Sequence, residues 1–202
     1  MRQGGWGGLI VSLVALAAAA DTGPPEMVVK RLDEALLAAM KLGPGGGLAG
    51  RAERLAPAIA EAFDMDAMTR MALGANAVQL APEDILRLRQ AFLRYTVASY
   101  AAQFDAWKGE NFEEGASRPA TGGRQVVPAR IIAAGGQATE LDYVFHLTGE
   151  GEWKIVDVLL DGAISQLAVR RSEFSSVYRR QGLSGLIDLL DRKTSALAVE
   201  GQ

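Results

Sequence analysis

The sequence contains no cysteine and a single histidine, His146. The first absence removes a thiol nucleophile, a cysteine zinc cage, a disulfide framework and a lipid anchor on a processed N-terminal cysteine. The second removes the H-E-x-x-H helix of zinc proteases and leaves a hydrolase triad one candidate base. No G-x-S-x-G elbow accompanies that base. A continuous apolar run of about 20 residues, the length of a comfortable membrane span, is also missing. Basic residues hold no majority: 21 Lys and Arg face 24 Asp and Glu, without a basic block. That balance argues against nucleic acid as a partner and limits membrane contact to transient encounters.

What is present begins at the N-terminus. Met1-Arg2, an apolar stretch from Leu9 to Ala20 and the closing Ala18-Ala19-Ala20 read as a secretory signal peptide spanning 1–20. Arg2 is its only charge, so residues 21–202 carry −4. Their length suits one domain with a real core, delivered outside the cytoplasm.

Helical periodicity predicts a first helix over 24–41, through Val28, Leu32, Leu36 and Met40. The composition shifts at 43–50, a Gly-rich linker inside the domain. It spells G-x-G-x-x-G, but a helix precedes it where a phosphate loop needs a strand. Arg51-Ala52 stand where Lys and Ser/Thr would grip phosphate, so that reading is rejected. A second helix follows over 51–63 despite Pro57, which predicts a first turn or a kink. Asp64 is the N-cap of a helix over 65–73, and Gly74 stops it. The longest helix, 82–107, carries two apolar stripes: Ile85, Leu88, Phe92, Tyr95 and Ser99, then Leu86, Leu93, Val97, Tyr100 and Phe104. A surface helix needs one stripe, so this helix is covered on two sides or turns one of them to a cavity.

Residues 109–123 read as a polar loop holding Glu113-Glu114, with one short edge strand near Phe112. Strands over 125–133, 139–147 and 153–160 form an antiparallel meander. Pro128 predicts an edge position or a bulge for the first of them. His146 falls on the polar face of the second, which predicts a solvated ring. The inward face of 153–160 depends on hairpin register. A tight turn at Asp161-Gly162 leads into two consecutive helices divided at Gly182, the second a short one through Leu183, Leu186, Ile187 and Leu190. The fold class is α+β: helices packed on one face of a curved antiparallel sheet of three to four strands, with an apolar cleft between.

The stretch 153–193 also carries a resemblance. Trp153-Lys154-Ile155, Asp157-Val158, Ser165, Arg171-Ser172, Phe174, then Gly182, Gly185-Leu186-Ile187, Leu190 and Lys193 resemble the end of the MlaC family. These are periplasmic lipid-binding proteins, also called toluene-tolerance or auxiliary transport proteins. The likeness extends back weakly to about Phe63, through Ala72-Leu73-Gly74. Arg170 stands where phospholipid-carrying members usually have Tyr, and this form is closer to the hopanoid-associated branch, HpnM. The resemblance implies a soluble periplasmic carrier of phospholipid or hopanoid in an ABC-type lipid transport system. Its implied partners are an inner-membrane transporter complex and, on the far side, an outer-membrane complex.

A carrier needs apolar, adaptable walls and no cofactor, metal or catalytic residue. The candidate wall is Met68 and Met71, with Phe92, Tyr95, Val127, Ile131, Tyr143, Phe145, Ile155, Val158 and Phe174, all apolar residues on converging elements. Arg170 and Arg171 are the candidates for meeting a head group or docking a partner. Two other classes stay open: an adaptor subunit with a filled core that docks a transporter, and a small enzyme on a cone-like sheet using Asp142, Tyr143 or Asp157.

Overall fold

The computed structural model of the chain describes residues 23–200, apart from the side chain of Glu200. The leader read over 1–20 lies outside the described residues. Five helices and six strands follow in the order α1 (Pro25–Met40), α2 (Gly47–Ala62), α3 (Met65–Leu73), α4 (Pro82–Gln103), β1 (Asn111–Glu114), β2 (Arg118–Ala120), β3 (Arg124–Ile132), β4 (Ala138–Leu147), β5 (Trp153–Leu160), β6 (Ile164–Ser165) and α5 (Gln166–Glu200). The α+β class holds, with more strands than the three to four expected. The additional ones are two to four residues long, too short for alternation to announce them.

The helices start and stop where cap chemistry directs. Asp64 accepts the N–H of Ala67 at 2.8 Å, and Gly74 ends α3 at φ 60°. The Gly-rich stretch is only partly a linker. Pro44–Gly46 form a short 3₁₀ turn, and α2 already begins at Gly47. Tertiary contacts override glycine's poor helix propensity here. Leu48 is buried, and Arg51 reaches the carbonyls of Ala101 (2.8 Å) and Gly43 (3.2 Å). Pro57 lies inside α2 on its exposed face, where water can satisfy the carbonyl that loses its donor. The long helix ends at Gln103, short of Trp107.

All strands pair antiparallel in one sheet, ordered β1-β3-β4-β5-β6, with β2 also on β3 beyond the end of β1. Pro128 therefore sits in an interior strand, not at an edge. Its carbonyl accepts the N–H of Gly115 at 2.8 Å, so its missing donor faces the same way, into the break between β1 and β2. Glu113 and Glu114 belong to β1 and not to a loop.

A bulge decides the inward face of β5. Val144 pairs with Asp157 but Phe145 pairs with Ile155, which leaves Val156 unopposed. Ile155 and Val158 consequently share one face with Phe145 and Tyr143. The outer edge of β5 is covered at one end by Phe63-Asp64, through the N–H of Asp64 to the Ile155 carbonyl (2.9 Å), and at the other by β6. His146 is not simply solvated: its Nε2 lies 2.8 Å from Asp64 Oδ2, tying β4 to the start of α3.

At the turn after β5, Asp161 and Gly162 both take positive φ (52° and 66°). Asp157 then organises the start of α5, accepting from the Ser165 hydroxyl (2.6 Å) and the Leu167 N–H (2.9 Å), while Ser165 Oγ caps the N–H of Ala168 (2.8 Å). Gly182, at φ 66° and ψ −168°, breaks α5 into the two helical stretches expected; the second runs on to Glu200 and is not short.

Candidate functional site

α4 packs chiefly on α2, α3 and α5 and at most sparsely on the strands, so it stands off the sheet. The space beneath it is a cavity of about 220 Å³. α4 supplies Phe92, Tyr95, Ser99, Tyr100 and Phe104, which combine parts of both apolar stripes. The sheet supplies Ile131, Leu141, Tyr143, Val158 and Leu160, and Phe63 and Met68 close one side. Polar lining comes from Thr96 and Gln103 of α4, Thr139 of β4 and Asp157 of β5, and from Gln166 and Arg170 at the start of α5, which form the rim. The Arg170 guanidinium lies 5.0 Å from the centre of the Tyr95 ring.

The candidate wall residues divide into two groups. Met68, Phe92, Tyr95, Ile131, Tyr143 and Val158 line the cavity. Val127, Phe145, Ile155 and Phe174 are fully buried elsewhere, and Met71 is half-buried against the core. Phe174 packs edge-on against Phe92, with ring centres 5.0 Å apart, and so braces the wall from behind. Arg170 belongs to the rim. Arg171 does not; it is exposed beside Gly74.

The buried electrostatics centre on a residue outside that candidate set. Asp33 lies on the inward face of α1 among Val29, Leu32 and Leu36, 6% exposed, and its Oδ2 is the one buried side-chain oxygen or nitrogen among the described residues without a partner. Burial first, and the charge of Glu114 second, raise its pKa to about 7. Tyr100 and Tyr143 are held above the usual phenol range, by burial first; Asp33 contributes to both, and Tyr100 to Tyr143. The spacing Val29, Asp33, Leu36, Met40 was the available signal, since a carboxylate there interrupts an apolar helix face. Asp142 is paired with Arg118 (2.9 Å), and Asp157 is spent on the α5 cap. The arrangement is thus a largely apolar chamber with Arg170 at its rim, and the one carboxylate in its lining, Asp157, is hydrogen-bonded into the start of α5.

The family model described as MlaC protein matches residues 30–192. No curated protein matches the chain. Among solved structures, the chain is similar to a phospholipid-binding protein from Ralstonia solanacearum, solved in complex with a phospholipid. The TM-score is 0.73 at 24% identity, covering 87% of this chain and 99% of that one. That likeness establishes a shared fold. Matched over most of its described length, the chain belongs to the MlaC family.

Proposed function

We propose that the protein is a periplasmic lipid-binding carrier, the soluble component of an ABC-type transport system that moves phospholipid or hopanoid between membranes. The observation that supports it most is the apolar cavity between α4 and the sheet. Family membership and the phospholipid found in the Ralstonia protein point the same way. The energetics suit the role. At about 0.8 kcal/mol per methylene, exposing a chain of ~16 carbons to water costs on the order of 12 kcal/mol. An apolar chamber offsets that cost without any catalytic residue, and the chemistry argues for a binding protein over an enzyme.

A volume of about 220 Å³ is below the ~300–1,000 Å³ of a typical ligand cleft. The carrier therefore enlarges its chamber on loading, and adaptable side chains such as Met68 ease that change. The same small volume favours a second reading, a transporter adaptor that holds no lipid. Native mass spectrometry of protein isolated gently from the periplasm separates them. A carrier retains lipid mass, or acquires it from vesicles. Folded protein that stays empty in both experiments supports the adaptor.

A further inference from the structure

The rim holds a second feature that the apolar chamber alone does not require. Lys193 comes from the stretch of α5 beyond the Gly182 break, twenty-three residues after Arg170 by their numbering, yet its ammonium lies 5.6 Å from the centre of the same Tyr95 ring. Both cations also reach one carboxylate, Glu173: Arg170 Nη1 at 3.5 Å, and Lys193 in closer contact. Two cations and one carboxylate leave a net charge of +1. Asp191, two residues before Lys193, is engaged by Arg94 at 2.7 Å and leaves that balance unchanged.

We propose that Arg170 and Lys193 form a phosphate site for the head group of an anionic lipid, with Glu173 occupying the place of the phosphate until the lipid arrives. The proposal rests on the carrier reading and deepens it. A guanidinium offers five donors, and one contact of 3.5 Å to Glu173 leaves most of them free for a tetrahedral anion. Attraction to the Tyr95 ring keeps both cations in position when Glu173 withdraws, so little ordering is required on binding. Glu173 is partly exposed and can turn to water when displaced. Tyr95 and Arg170 both border the chamber, so a phosphate held here has its acyl chains leading inward. A neutral lipid of equal tail length lacks the group that displaces Glu173.

The test loads the protein from vesicles containing either phosphatidylglycerol or diacylglycerol with the same acyl chains, and counts retained lipid by native mass spectrometry. Charge-assisted hydrogen bonds contribute enough to predict roughly tenfold greater retention of phosphatidylglycerol. Arg170→Gln and Lys193→Gln are each expected to remove most of that preference, and Lys193→Gln, whose side chain is outside the chamber lining, is expected to leave diacylglycerol retention unchanged. Glu173→Gln is expected to raise phosphatidylglycerol retention several-fold, because the competing carboxylate is neutralised. A residue that only braces the rim would give the opposite sign. Unfolding midpoints of each variant establish that the protein tested is folded. Equal retention of both lipids, or loss of retention in Glu173→Gln, overturns the phosphate site and leaves the carrier reading intact. Retention of neither lipid by folded wild type overturns both. Binding of inorganic phosphate to lipid-free protein together with equal retention of the two lipids identifies a free-anion site and overturns the lipid assignment.

Discussion

The inward face of the sheet has a filled end and an open end. At the filled end, Val127, Phe145 and Ile155 are fully buried, and α1, α2 and α3 all reach β5. At the open end, Ile131, Leu141, Val158 and Leu160 keep partial exposure beneath α4 and the start of α5. The residue types are the same at both ends, and so is the alternation. What differs is the cover. Three helices converge on one end, whereas α4 stands off the other. Identical apolar side chains therefore become core in one place and chamber wall in the other, and the helix arrangement alone decides which.

Side-chain truncation separates the two ends most strongly. Phe145→Ala is expected to cost about 3–5 kcal/mol of unfolding free energy, because a closed, filled site cannot collapse around the loss. Leu141→Ala at the open end is expected to cost less than about 2 kcal/mol, since the residue already borders empty space. Denaturant titrations of the two variants, with equal m-values, check the contrast; equal losses would erase the distinction between the ends.

Next in size is the pH dependence set by Asp33. Its folded pKa, about 7, lies above the ordinary 3.8, so the folded state binds the proton more tightly than the unfolded chain. The contribution is fully present below pH 3.8 and is lost as pH rises through about 7. The loss amounts to roughly 4 kcal/mol at most. Asp33→Asn is expected to flatten the stability profile over that interval and to be more stable than wild type at pH 8. A profile unchanged by the substitution would remove Asp33 from the account.

A smaller effect comes from Asp64, which caps α3 and meets His146. Asp64→Ala is expected to cost about 1 kcal/mol, most of it from the lost cap. His146→Ala is expected to cost less than that, since the pair is partly exposed. Smallest in stability is Ser99→Phe, which places a ring in the chamber. It is expected to change unfolding free energy by less than about 1 kcal/mol, because open space accepts the ring without overpacking, while abolishing lipid uptake from vesicles. Undiminished uptake would move the ligand elsewhere.

Much of the fold could be read from local chemistry. The Asp64 cap, the Gly74 stop, the Asp161-Gly162 turn and the Gly182 break each rest on a residue whose backbone preference is strong. The strand 153–160 was legible from its apolar run. Its inward face was not, because the bulge between Val144 and Phe145 reverses the alternation partway along β5. The helical start at Gly47 was hidden because burial of Leu48 and the Arg51 hydrogen bonds outweigh glycine's preference. The chamber was legible only as a class of residue. Ile131 and Val127 are alike in sequence, and only tertiary cover separates wall from core. Met71, alike in type to Met68, lies half-buried against the core for the same reason. The approach of Lys193 to Arg170 depends on the Gly182 break, and spacing along the chain does not reveal it.

The most direct measurement is crystallography of the protein loaded with a lipid brominated along its acyl chain. Anomalous peaks are expected under α4, between Phe92 and Tyr143. Peaks at another place, or a bromine-free interior in protein that has been exposed to the lipid, would contradict that placement.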